Sequence, residues 1–244
     1  MEASENLILT FRARLEDTLA CIDRAARRSG RDLQAVRLVV VTKTHPVELI
    51  RAVVQAGACY LGENYTDEAL PKIIALGQEV PVSWHMIGHV QSRKAGLVCE
   101  HFDFFHALDS LKLAEKMSRL CDERKRKLPV LLECNLAGEA TKYGWPIFDE
   151  TLWPDFLPVI EKILALPALE VRGLMGMAPF FSESEPSRPY FKLMRRFRDY
   201  MKKIFPGSCW DELSMGMSTD FEPAVEEGAT WVRIGTRILG QRQS

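Results

Sequence analysis

The chain has 244 residues, a length that fits one (β/α)8 barrel of ~250 residues or two small domains. Lys and Arg number 32 against 33 Asp and Glu, a formal net charge of −1, so no global field marks the chain for nucleic acid or a membrane surface. The apolar fraction of 47% is that of an ordinary globular fold, and no apolar run approaches the ~20 residues that cross a bilayer.

Helical spacing of Leu7, Phe11, Leu15, Leu19, Ile22 and Ala26 predicts a first helix that Gly30 stops. The uninterrupted run Arg37-Leu-Val-Val-Val-Thr42 then reads as a parallel strand covered on both faces. Pro46 fits the first turn of a following helix that carries Val47, Ile50 and Val54 and ends at Gly57. Further strands are predicted at 58–62, 82–86, 103–107, 128–135, 169–174, 211–215 and 230–234. Helical patterns lie at 66–77, 91–99, 110–126, 149–165, 187–204 and 219–227, with Pro71 kinking or starting the first of these. Strict alternation of strand and helix predicts right-handed βαβ units. Eight such units make a closed barrel over residues 1–244, a single domain with one additional N-terminal helix. An open dinucleotide-binding sheet would carry a glycine-rich loop after its first strand, whereas this chain has Thr42-Lys43-Thr44-His45-Pro46. The segment 178–189, rich in proline, serine and glutamate, reads as a mobile loop.

The six cysteines, Cys21, Cys59, Cys99, Cys121, Cys134 and Cys209, form no CxxC pair and point to a reducing compartment. The N-terminus lacks a secretory pattern. Glu2, Glu5, Glu16, Asp17 and Asp23 argue against a transit peptide, so a cytoplasmic protein is expected. The basic runs at Arg24–Arg28 and Arg124–Lys127 sit beside carboxylates and read as solvated helix ends.

Barrel chemistry sits where strands end. The polar residues there are Lys43, Gly62-Glu63-Asn64-Tyr65, His85 with Gly88-His89, Glu133-Cys134-Asn135, Ser214 to Asp220, and Arg233 with Gly235-Thr236. Lys43 directly follows apolar strand residues. Either it snorkels to the rim, or its amine is desolvated and able to attack an aldehyde. The second reading gains from the last two strands, where barrels commonly hold phosphate. Ser218-Thr219-Asp220 after Gly216 reads as a helix N-cap, and Gly235-Thr236 adds a second donor pair. In a closed barrel the last strand neighbours the first, which puts this anchor beside Lys43. An amine next to a phosphate cup suits a phosphorylated aldehyde. Arg233, on the same side of its strand as Gly235, serves either as a structural ion pair or as a permanent donor to a pyridine nitrogen. His85 and His89 are four apart, but no third ligand completes a metal set. Asn64 and Asn135 satisfy loop backbone or orient a ring, and Lys142 is a second amine near the rim.

These strings resemble the pyridoxal phosphate homeostasis protein family, relatives of the alanine racemase barrel. The resemblance covers nearly the whole chain. It rests on Val41-Thr-Lys43-Thr-His-Pro46, Gly62-Glu-Asn64-Tyr65, Trp84-His-Met-Ile-Gly88-His-Val-Gln91 and Leu174-Met-Gly-Met177. Leu213-Ser-Met-Gly-Met-Ser218-Thr-Asp220 and Arg233-Ile-Gly-Thr236 complete it. Thr42, where the family usually has serine, and Ser92-Arg93 are departures outside the core roles. The resemblance implies a fold-type III barrel that holds pyridoxal 5'-phosphate as a Schiff base on Lys43. Ser218, Gly235 and Thr236 would hold the phosphate, Arg233 would face the ring nitrogen, and Asn64 would lie near the ring. It further implies a cofactor carrier that balances pyridoxal phosphate and amino-acid pools without strong catalysis, with cofactor-requiring apo-enzymes as partners. The chain stops at Ser244, soon after the last strand, which leaves no β-rich second domain to supply an opposing acid–base residue or to build a dimer, so a monomer is expected. Three alternatives stand. One is an amino-acid racemase or lyase that uses Tyr65, His85 or His89. Another is a Schiff-base aldolase on a phosphorylated sugar. The third is a pure interaction module in which the cofactor site is vestigial.

Overall fold

The computed structural model describes residues 2–77, 81–139 and 143–241. Helix α1 (Glu2–Arg28) turns Phe11, Leu15, Ile22 and Ala26 into the core, and Gly30 at φ +70° ends it. Leu19, predicted on the same stripe, lies at its edge and is 39% exposed.

The strands are β1 (Arg37–Val41), β2 (Tyr60–Glu63), β3 (Ser83–Met86), β4 (Phe104–Leu108), β5 (Leu128–Asn135), β6 (Trp145–Pro146), β7 (Leu169–Gly176), β8 (Glu212–Ser214) and β9 (Trp231–Ile234). Between them run α2 (Val47–Gln55), α3 (Thr66–Leu76), α4 (Ala95–His101), α5 (Leu111–Glu123), α6 (Trp153–Leu164), α7 (Arg188–Ile204) and α8 (Phe221–Glu226), and α9 (Thr236–Leu239) closes the series. All pairings are parallel, in the order β4-β3-β2-β1-β9-β8-β7-β5, and the additional β4–β5 pairing closes an eight-strand barrel. The (β/α)8 expectation holds.

Four details differ from the sequence reading. Pro46 is the N-cap of α2 rather than its first turn, at φ −71° and ψ 159°. Helix α3 begins at Thr66 and continues through Pro71. The two-residue β6, which pairs with Cys134 and Asn135, and the four-residue α9 are too short to leave a periodic signal. Only 178–184 of the segment expected as a loop is irregular, since 185–187 already turn into α7.

The lower half of the barrel interior is filled by rings. Trp231 packs against Tyr60 at 5.0 Å, His85 at 4.9 Å and Phe104 at 5.8 Å between ring centroids. The Arg37 guanidinium lies 3.9 Å from the Trp231 ring centroid and donates to Glu212. This plug joins β1, β2, β3, β4, β8 and β9 without any helix. Trp231→Ala is therefore expected to cost about 3–5 kcal/mol, read as a lower urea midpoint with unchanged m-value.

Candidate functional site

The upper mouth of the barrel is built from the strand ends, beginning with the loop after β1. Lys43 is half-buried there, between Thr42, which is buried, and Thr44, which takes a left-handed φ of +65°. A β-branched residue in that region is strained unless its surroundings hold it. They do so through α3. The buried Lys72 ammonium donates to the Thr42 carbonyl at 3.0 Å, to Glu63 Oε1 at 2.8 Å and to Glu68 Oε1 at 2.5 Å. Thr42 Oγ1 donates to Glu63 Oε1 at 2.7 Å, and the Thr44 N–H donates to Glu68. Burial pushes the Glu63 carboxyl up, while the bonds from Lys72 and Thr42 pull it back. Two carboxylates and one ammonium thus clamp the peptides on either side of Lys43.

Strand register fixes the other wall. Val39 pairs with Arg233 and Val40 with Ile234, so the end of β9 lies beside the end of β1. A Cβ on Gly235 would stand 3.1 Å from the Val41 carbonyl. Gly216, at φ +92°, comes so close to α8 that a Cβ would fall 2.6 Å from Ala224 Cβ. Asp220 occupies the N-cap of α8, but its side chain turns back and accepts the Met217 N–H at 2.6 Å. The expected Ser218-Thr219-Asp220 cap is thus a tied turn in which Ser218 is half-buried. Gly235 is the N-cap of α9, and Thr236 is its exposed first residue.

Arg233 is 4% exposed and points into the barrel. Its Nη1 donates to Ser214 Oγ at 2.6 Å and its Nη2 to the Gly176 carbonyl at 3.1 Å. Burial lowers the guanidinium to about 10, against the pull of Asp220 and Glu133, so it stays charged at neutral pH. From Ser214 a chain descends the barrel axis. His106 Nδ1 lies 2.9 Å from Ser214 Oγ, His106 Nε2 lies 2.9 Å from His85 Nδ1, and His85 Nε2 lies 3.1 Å from Ser83 Oγ. Burial drives both rings down, His85 to about 3 and His106 well below the usual range. With both neutral, every proton has an acceptor if donation runs Arg233 to Ser214 to His106 to His85 to Ser83.

Three acceptors at the strand ends stand without partners among the described residues: Glu63 Oε2 in the clamp, Asn64 Oδ1 and Glu133 Oε2. Glu133 is 6% exposed, and burial first, then Asp109, pushes its carboxyl up to about 7, while Arg233 opposes the shift. Asn64 is set by Gly88, where a Cβ would fall 2.4 Å from the Asn64 carbonyl.

The structure thus gathers Lys43, Arg233, Gly235 and Thr236 at neighbouring strand ends, with Asn64 just after β2 and Ser218 after β8. Asn135 takes its loop reading, because its Oδ1 accepts the N–H groups of Ala137 and Gly138. His85 and His89 part company. His85 faces down the barrel, while His89 binds Asp109 at 2.7 Å and stacks on Tyr143 at 3.7 Å. No group of three metal-ligating side chains occurs among the described residues. Tyr65 is 60% exposed, and Lys142 lies outside the described residues. The sequence reading missed His106, Ser214 as a partner of Arg233, Lys72, and the carboxylate role of Glu133. Polar residues at alternate positions of otherwise apolar strands were the available signal.

The family model of the alanine racemase N-terminal domain matches residues 17–243. A pyridoxal phosphate homeostasis protein of Pseudomonas aeruginosa is 39% identical over 237 residues, covering 96% of both chains. The chain belongs to this family. Among solved structures, PipY of Synechococcus elongatus PCC7942 with PLP bound is 34% identical with a TM-score of 0.79, covering 94% of this chain and all of that one. An alanine racemase of Clostridium difficile 630, 15% identical with a TM-score of 0.65, shares the fold over 93% of this chain and 58% of its own.

Two outcomes follow for the buried polar groups. His106→Leu strands Ser214 and His85 and is expected to cost about 2–4 kcal/mol, measured by urea unfolding. Glu133 binds its proton more tightly folded than unfolded, so stability should fall as pH rises from its ordinary 4.5 to about 7. The loss is on the order of 3 kcal/mol. Glu133→Gln should flatten that slope, equalling or exceeding the wild type at pH 8.

Proposed function

We propose that this protein is a cytoplasmic, monomeric carrier of pyridoxal 5'-phosphate, one barrel domain over residues 1–244, that keeps the cofactor available to apo-enzymes and does little catalysis of its own. The carrying observation is the β1–β9 register, which sets Lys43 beside the Gly235–Thr236 turn. The residues fit the group. Gly216 and Gly235 let their backbone lie close against α8 and Val41, where a Cβ would collide, Asn64 Oδ1 has no donor among the described residues, and Arg233 is charged inside the barrel. The family name of the relatives and the PLP-bound PipY structure support the same reading.

In this reading Lys43 Nζ would hold the cofactor covalently, and Ser218, Gly235 and Thr236 would hold its phosphate through hydroxyl and backbone donors. Arg233 would face the ring nitrogen, and Asn64 would lie at the ring's flank. When bound, pyridoxal phosphate supplies an aldehyde that condenses with amines and a ring that withdraws electrons. Arg233 keeps its proton at neutral pH, so a ring nitrogen facing it receives a hydrogen bond rather than a proton, which weakens that withdrawal. The Ser214–His106–His85 column holds the guanidinium in place, and the Lys72 clamp holds the Lys43 peptide. Weak catalysis is further supported by the three rim candidates for acid–base work. Tyr65 projects into solvent, His85 is sealed inside, and His89 is committed to Asp109.

The purified protein should be yellow, or turn yellow with added pyridoxal phosphate, and borohydride should fix an adduct that mass mapping assigns to Lys43. Lys43→Ala should abolish the adduct, and Arg233→Ala should keep the cofactor but shift its absorption maximum. A colourless protein that takes up no cofactor would overturn the reading. So would turnover of alanine or serine at ordinary enzyme rates, ~1–1,000 per second.

A further inference from the structure

A cavity of about 190 Å³ opens at the mouth between β2, β3, β5 and the segment before β6. Its walls include Asn64, His89, Glu133 and Tyr143. It shares Asn64, Gly88 and His89 with a second cavity of about 350 Å³ bordered by Gln91 and Lys94. The smaller chamber is rich in acceptors. Two of the three orphaned oxygens at the strand ends, Asn64 Oδ1 and Glu133 Oε2, belong to residues that line it. A buried acceptor without a donor is costly, and two in one chamber call for a ligand that brings hydrogens and positive charge.

The groups around Glu133 fix its behaviour. Asp109, at the end of β4, repels its charge and is itself held by His89. Arg233 of β9 attracts it, Cys134 beside it is buried, and Tyr143 stacks on His89 at the rim. The result is a carboxyl that exchanges its proton near neutrality. Lys43 follows the strand next to that of Asn64, since Val41 pairs with Gly62.

We infer that this chamber receives the primary amine that displaces the cofactor from Lys43, with Asn64 and Glu133 seating its ammonium and Glu133 taking its proton. The inference rests on the cofactor reading above. An ammonium has no free electron pair, so it must first be deprotonated. R–NH3+ and the Glu133 carboxylate become R–NH2 and the carboxylic acid. The freed pair then forms a C–N bond to the carbon that is doubly bonded to Lys43 Nζ; both bonds from that carbon to Nζ break as its double bond re-forms to the incoming nitrogen. The two hydrogens left on the incoming nitrogen and the one held by Glu133 end on Lys43 Nζ, which leaves as ammonium while Glu133 returns to carboxylate. No oxidant or further reactant is required. The larger cavity gives the body of the amine a place to lie, so amino acids and exposed lysines both qualify.

Three measurements test this. Ethylammonium should raise the melting temperature of unloaded wild-type protein at pH 8 and leave that of Glu133→Gln unmoved. With loaded protein, ethylamine should discharge the colour at a rate that rises with pH and levels near 7, and Glu133→Gln should slow it about tenfold to a hundredfold and abolish the break. Asn64→Ala should raise the ethylamine concentration required and keep the break. Hydroxylamine, uncharged at neutral pH, needs no base and should discharge wild type and Glu133→Gln alike. Equal sensitivity of both nucleophiles to Glu133→Gln, or no effect on either, would overturn the inference, as would absence of ethylammonium binding to the unloaded protein. If borohydride trapping fails at Lys43, the cofactor reading falls, whereas the ethylammonium shift still reports on the chamber.

Discussion

The hydrogen-bonded seam between β1 and β9 is the constraint on which the site depends. It joins the two ends of the barrel sequence, and without it Lys43 and the Gly235–Thr236 turn would be remote from one another. The seam is tight at its upper end because Gly235 lets its backbone reach the Val41 carbonyl. Any side chain there would spread the two strands where their termini must converge. Closure and site construction are therefore one event, and a chain that failed to close would lose both.

The barrel interior divides into an aromatic lower half and a polar upper half. Burying a guanidinium, two imidazoles and a carboxyl is expensive unless each finds partners. The chain meets that cost by running one hydrogen-bond column from Arg233 to Ser83 and by keeping the histidines neutral. The same column gives Arg233 a fixed direction, since two of its donors are committed to Ser214 and Gly176. Glu133 is not fully paired, because one of its oxygens has no partner among the described residues, as is true of Asn64 Oδ1 above and Trp231 Nε1 below. Of these, the carboxyl is the one whose proton can come and go, and such a group is where function tends to be found.

Much of this was legible in the sequence, for identifiable reasons. Parallel strands covered on both faces announce themselves as apolar runs, and the run from Leu38 to Val41 contains no polar residue to blur the pattern. Lys43, Arg233 and Gly235 stood out because they break such runs at strand ends. The interior column did not stand out, since His85, His106 and Ser214 lie on three different strands and only register brings them together. Lys72 was obscured by Pro71, which made its helix look broken and its face uncertain. The protonation of Glu133 depends on what covers it, and strand periodicity carries no information about cover.

The clamp on the β1 loop has a chemical consequence as well. Two lysine amines lie close to the same stretch of backbone, Lys43 on it and Lys72 beneath it. All three hydrogens of Lys72 are donated, to Thr42, Glu63 and Glu68. The clamp therefore devotes Lys72 wholly to shape: a lysine so close to Lys43 is committed to holding backbone, and the loop that carries Lys43 is pinned from below by a residue of another element.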